Sequence, residues 1–283
     1  VSTVVLSLVS AVCFGVSDFF AGVAARRVNF VTVTLVSQLF ALVLIAAAVP
    51  FTPSPVPTTA ALLWGGLGGV GSVVGSLALY RGLGNGNMAV AAPLSAVGSA
   101  VLPAIVGIAG GDRLAPLAIV GVVAALPAIW LVSKPSTRVP GAALASGTVD
   151  GLVAGAGLGL LYVGIGKAGD SSGLWPVLSG ETVAVIGLAA VFAIRRPKSS
   201  KGSPRRRLLL AMAVLAGVLS VAATVLYFYA THTGALTIAA VLSSIYPGFT
   251  VLLAAAVLRE RPSGVQLAGL GLCAVAVVAI AIA

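Results

Sequence analysis

The sequence predicts an all-α integral membrane protein of ten transmembrane helices, arranged as two inverted five-helix repeats. Three observations lead there. Of 283 residues, 59% are hydrophobic and only 8% charged, with a mean hydropathy of +1.17. A soluble domain carries about a quarter charged residues, so this chain cannot cover a water-facing surface and lipid must be its main solvent. Second, the apolar sequence divides into runs of the 20 or so residues that a span needs. Third, residues 86–122 match 234–270 without a gap, each position recurring 148 residues later. Gly86, Ala91, Ala92, Leu94 and Ser95 return as Gly234, Ala239, Ala240, Leu242 and Ser243, and Gly121 returns as Gly269.

The spans follow from cutting the chain at charges, proline clusters and Gly/Asn turns. The first, 2–23, leads to Arg26-Arg27, and the second, 31–49, runs to the cluster Pro50–Pro57. The third, 59–80, ends before Arg81 and a Gly/Asn turn. The fourth, 88–109, and the fifth, 114–132, are divided by Gly110–Arg113. After the linker Ser133–Gly141 come 142–166 and 173–194, then the basic segment Arg195–Arg207. The last three spans are 207–230, 235–257 and 263–282. Residues 1–133 thus form one repeat, 134–141 a linker, and 142–283 the second repeat. The first apolar run has no A-x-A cleavage site and reads as a retained helix rather than a signal peptide.

Five is odd, so the second copy enters the membrane from the opposite side. The halves are therefore expected to be inverted about an axis in the membrane plane, a plan of carriers whose substrate site lies between the repeats. Odd-numbered connections hold fourteen of the sixteen Lys and Arg, seven of them in Arg195–Arg207; even-numbered ones hold only Arg113 and Lys167. The positive-inside rule puts the odd connections, including 195–207, in the cytoplasm and both termini outside. The +10 net charge is thus loop charge that orients helices, not a nucleic-acid surface. Cys13 and Cys273 sit in apolar runs without zinc-type spacing and read as buried thiols. Gly147, Gly151, Gly155 and Gly159 form a ladder at every fourth residue, and Gly65/Gly69 and Gly71/Gly75 repeat the spacing. Small residues so placed let helices approach closely.

The ordered set of motifs, present twice, resembles the EamA-type branch of the drug/metabolite transporter superfamily. The carrying residues are Ala91-Ala92-Pro93-Leu94-Ser95 and Ala239-Ala240-Val241-Leu242-Ser243-Ser244. Each is followed by an acidic-basic turn, Gly111-Asp112-Arg113-Leu114 and Leu258-Arg259-Glu260-Arg261, and then by a Gly-bearing last helix. The resemblance covers essentially the whole chain. It implies a ten-helix inverted-repeat carrier, often an exporter of amino acids or related metabolites, with a central cavity lined by spans one, three, four, six, eight and nine. It also implies cytoplasmic termini, the reverse of what the charge count gives.

Acids within a bilayer are costly and face a cavity or a partner. Of six acids, Asp112, Asp170 and Glu260 fall in turns, whereas Asp18, Asp150 and Glu181 fall within spans. Asp18 and Asp150 lie on repeat-equivalent spans, about two turns from the odd-loop face, and are expected to face each other across the cavity mouth. Glu181 lies deeper, near the repeat position of Gln38. No Lys or Arg is deep enough to neutralise the three, which leaves them solvated, protonated or paired with a bound cation or ammonium. Asp18 can alternatively pair with Arg26 or Arg27 at the interface, Asp150 can be an entry residue, and Glu181 can serve as an interhelical hydrogen-bond acceptor. Glu181, Asp18, Asp150 and His232 are the proton-coupling candidates.

Tyr80 and Tyr227 close the third and eighth spans, and Tyr162 flanks the turn after the sixth. Such aromatics serve either the substrate or the membrane interface. Ser95 and Ser243 match in the repeat, with Tyr246 beside the second. The substrate-binding candidates are therefore Glu181, Asp18, Tyr80, Ser95, Tyr162, Tyr227, Ser243 and Tyr246. Pro93 and Pro103 in the fourth span and Pro247 in the ninth remove backbone donors and are candidate hinges.

The function expected is an inner-membrane secondary transporter that exports a small metabolite, an amino acid or related amine, by alternating access. A multidrug or lipid-linked-substrate carrier of the same fold is the alternative. A channel would need charge rings or a carbonyl filter, and an enzyme clustered catalytic groups; the sequence has neither. No catalytic residue, cofactor or metal is expected. The expected partners are a small-molecule substrate and membrane lipid, with monomer and homodimer both compatible with the pattern.

Overall fold

The computed structural model describes residues 2–25, 28–52, 56–84, 88–133, 141–169, 172–195, 206–257 and 262–283, leaving aside the side chains of 80, 82–84, 88–90, 92–93, 141–145 and 206. Its helices are α1 (Ser2–Ala25), α2 (Phe30–Ala48), α3 (Thr59–Gly84), α4 (Met88–Ala109), α5 (Pro116–Ser133) and α6 (Gly141–Lys167), followed by α7 (Trp175–Arg195), α8 (Arg206–Thr233), α9 (Leu236–Ser243), α10 (Tyr246–Val257) and α11 (Gly264–Ala281). Among the described residues nine stretches are long and apolar enough to cross a membrane, with α9 and α10 together making one; Leu94–Ala109 of α4 is a shorter apolar stretch. The linker 134–140 and most of the basic segment lie outside the described residues.

Helix limits follow local chemistry. Asn29 accepts a hydrogen bond from the Val31 N–H at 3.0 Å and starts α2. Ser263 and Gln266 form a reciprocal capping box at the head of α11, satisfying orphan donors that would otherwise be costly near lipid. The chain leaves α4 through Gly111 at φ 101°, a left-handed conformation that glycine adopts without strain. The ninth span breaks at Ser244-Ile245. Pro247 has no N–H to return to Ser243, so α9 closes through Ser244 N–H to Ala240 C=O (2.9 Å) and α10 starts afresh at Tyr246. By contrast, α4 runs unbroken through Pro93 and Pro103.

Close backbone approaches hold the bundle together. The glycine ladder of α6 packs on α4, where a side chain at Gly98 would meet Gly155 at 2.7 Å. Gly69 of α3 leaves room for the Gly180 carbonyl of α7, and Gly217 of α8 does the same for Ser37 of α2. Gly69 and Gly217 stand 148 residues apart, Ser37 and Gly180 143, so exchanging the halves maps one contact onto the other. Helices α5 and α11 pack antiparallel, with Gly121 against Ile280 and Gly269 against Val132. Gly121 and Gly269 stand 148 residues apart, as do Val132 and Ile280, so exchanging the halves maps one contact onto the other. Outward faces carry exposed Leu63, Val123, Ile186 and Val275, a surface suited to lipid.

Candidate functional site

Two polar regions lie on neighbouring faces of α6. In the first, α1, α6, α8 and α10 converge an aromatic cluster. The Tyr162 ring lies 4.5 Å from that of Tyr227 and 6.1 Å from that of Phe14, which is 6.2 Å from Tyr246. Tyr162, Tyr227 and Tyr246 are all buried. The Tyr227 hydroxyl donates to the Tyr162 carbonyl at 2.9 Å, so this tyrosine stands behind Tyr162 as its support. The Tyr162 phenol interacts with Ser244 and lies within electrostatic reach of Asp18. Asp18 is half-buried on α1 and makes no hydrogen bond or ion pair among the described residues. Arg26 and Arg27, its alternative partners, lie outside them.

The break between α9 and α10 carries two buried hydroxyls, those of Ser243 and Ser244. Ser244 pairs with Ser99 of α4 at 3.2 Å, and Ser243 makes a long contact of 3.5 Å to the Ser7 carbonyl. Ser95 is buried on α4. The sequence candidates Asp18, Tyr162, Tyr227, Ser243 and Tyr246 thus lie on helices that pack together around one region. Tyr80 falls at the end of α3, where its side chain lies outside the described residues.

Glu181 belongs to the second region. It is 7% exposed and accepts a hydrogen bond from Gln38 Nε2 at 3.0 Å. The two residues that sequence reading sets at nearly equivalent repeat positions therefore touch, joining α2 to α7. A cavity of about 20 Å³ lies against them, walled also by Ser72 of α3 and by Ser220 and Thr224 of α8. Ser72 and Ser220 are 148 residues apart. They were not among the sequence candidates, although identity at the repeat offset was a legible signal. This cavity involves α2 and α7, which are absent from the helices that the family resemblance assigns to a central cavity.

Asp150 requires a correction. Far from lacking a cation, its buried carboxylate is paired with Arg81 at the end of α3, with Nε donating to Oδ1 at 2.8 Å and Nη2 to the same oxygen. The arginine stem reaches inward from an exposed position, a reach that counting residues from the helix end understates. Asp112 lies in the turn between α4 and α5, as the sequence predicts, and its carboxylate accepts both the backbone N–H and the hydroxyl of Thr237, each at 2.8 Å. It thereby caps α9 from the first half of the chain. His232 packs edge-on against Phe228 with ring centroids 4.2 Å apart.

Among the described residues no group of three or more His, Cys, Asp or Glu is placed to hold a metal ion. The profile of the EamA-like transporter family matches residues 146–282. No curated protein matches the chain. A solved structure described only as "Crystal structure of protein" superposes with a TM-score of 0.74 at 16% identity, covering 99% of this chain and 96% of that one. That likeness concerns the fold alone.

Proposed function

On the premise that the chain, through residues 146–282, belongs to the EamA-like transporter family, we propose that it is an inner-membrane carrier that exports an amino acid or related amine by alternating access. The observation that carries the substrate class is Asp18. Its carboxylate has no described partner, and it follows Phe14 by one turn on α1, the helix whose Phe14 ring meets those of Tyr162 and Tyr246. A lone intramembrane carboxylate favours a cation, and aromatic faces add attraction for an ammonium while holding an apolar body. The hydroxyls of Ser95 and Ser243 supply polar contacts for the rest of the molecule.

Two further observations support alternating access between inverted halves. The antiparallel contact of α5 with α11 maps onto itself when the halves are exchanged, as an axis in the membrane plane requires. The two bundle ends also carry different closures. Arg81 and Asp150 join α3 to α6 at one end, whereas the hydroxyls of Thr3 and Thr233, 3.0 Å apart, join α1 to α8. In the inverted arrangement these pairs lie at opposite membrane faces. A charged closure at one face and a neutral one at the other give the carrier two ends that open with different ease.

The test is flux of a radiolabelled amino-acid and amine panel in proteoliposomes. Saturable uptake of at least one ammonium-bearing member, reduced at least tenfold by Asp18→Asn, is expected. Equal transport by the Asp18→Asn protein, or transport confined to neutral apolar compounds, would contradict the proposal and favour a multidrug or lipid-linked substrate.

A further inference from the structure

We propose that the cavity beside Glu181 is a binding site for one monovalent metal cation of sodium's size, separate from the Asp18 region. The argument begins with charge. Glu181 is buried within the bundle, and no Lys or Arg is among the residues that wall the cavity. The Gln38 amide donates an N–H to the carboxylate, the contact that an anionic acceptor favours, but a neutral amide cannot cancel its charge. A buried carboxylate with only this partner calls for one positive charge. A monovalent ion neutralises it, whereas a divalent ion leaves the site at +1.

The wall chemistry then separates a metal ion from a bare proton. A proton needs the carboxylate alone. Here three further oxygen-bearing side chains, Ser72, Ser220 and Thr224, line the same small space. Thr224 donates its hydroxyl proton to the Ser220 carbonyl at 3.0 Å, which leaves its oxygen lone pairs as the free capacity of that group. Hard cations take oxygen ligands of this kind, carboxylate, hydroxyl and amide together. The volume of about 20 Å³ admits roughly one water-sized occupant, too little for an organic substrate. Size therefore fits this cavity to a small ion.

Position gives the ion a mechanical role. The wall is built from both halves, with Gln38 and Ser72 from the first and Glu181, Ser220 and Thr224 from the second. An ion held there ties α2 and α3 to α7 and α8 where the halves meet. Its presence would stabilise the assembled pair and fall away if the halves separated at that point.

The experiment is thermal unfolding of the purified full-length protein at constant pH and ionic strength, titrating sodium chloride against choline chloride without substrate. The expected result is a saturable rise in the unfolding midpoint on the order of 5 °C. It should be absent in Glu181→Gln and weakened in the double variant Ser72→Ala/Ser220→Ala. Because Glu181→Gln can also disturb folding, radioactive sodium binding by the serine variant provides a second measurement, expected to fall at least fivefold with the fold retained. No sodium-specific rise in the unaltered protein, or an undiminished sodium response in Glu181→Gln, would overturn the proposal. None of these outcomes bears on the Asp18 reading, which the flux measurement tests separately.

Discussion

Asp112 shows how much one side chain contributes to holding the two halves together. By accepting the N–H and hydroxyl of Thr237 it satisfies the first turn of α9 across the repeat boundary, where a carboxylate also complements the positive helix end. Asp112→Ala is expected to cost about 1–2 kcal/mol, lowering the unfolding midpoint by roughly 3–6 °C in a thermal scan. Asp112→Asn retains an acceptor and should lose less. The position was legible, since Asp112 opens one of two matching acidic-basic turns, but the partner was not. A sequence places a residue along its own helix and leaves undetermined which neighbour packs at that height. The same gap explains Glu181. Its depth and its likeness to Gln38 could be read directly, whereas their 3.0 Å contact depends on how α2 and α7 cross.

At the scale of elements, hydropathy set the limits of the described helical stretches to within a few residues, because an apolar run flanked by charges has few other uses. Proline was a poorer guide. Pro247 accompanies a true break between α9 and α10, while α4 passes through Pro93 and Pro103 as one helix. A proline removes one donor wherever it stands, but whether the helix parts there depends on what else can satisfy the freed groups. The α4–α6 seam is a stringent element-level test. A side chain at Gly155 would meet the Gly98 backbone at 2.9 Å, so Gly155→Leu is expected to cost about 2–4 kcal/mol through overpacking and to lower the folded yield in detergent several-fold. The Arg81–Asp150 pair tests the proposed motion. Breaking a half-buried charged hydrogen bond costs about 1–3 kcal/mol, so Asp150→Asn should shift the population of that open end by roughly five- to a hundred-fold. Labelling rates of a single cysteine placed near that end would report it; unchanged labelling would show that the pair does not act as a closure.

For the whole molecule, composition and the 148-residue repeat indicate a membrane transporter; its drug/metabolite kind came from the motif resemblance, which the EamA-like match over residues 146–282 supports. The two halves make exchangeable contacts, Gly121 with Ile280 and Gly269 with Val132, that no single stretch of sequence displays. Sidedness belongs at this scale too. Fourteen basic residues on odd connections against two on even ones lead us to propose that the odd connections face the cytoplasm. A reporter fused within 195–207 is therefore expected to be inaccessible from outside intact cells, and labelling there would reverse the orientation. That the chain is a carrier for an ammonium-bearing metabolite is tested by counterflow in proteoliposomes preloaded with an unlabelled member of the panel. Saturable accumulation of the labelled compound, accelerated by the internal load and lost in Asp18→Asn, is the expected result. Linear, load-independent entry, or full counterflow in the Asp18→Asn protein, would contradict it.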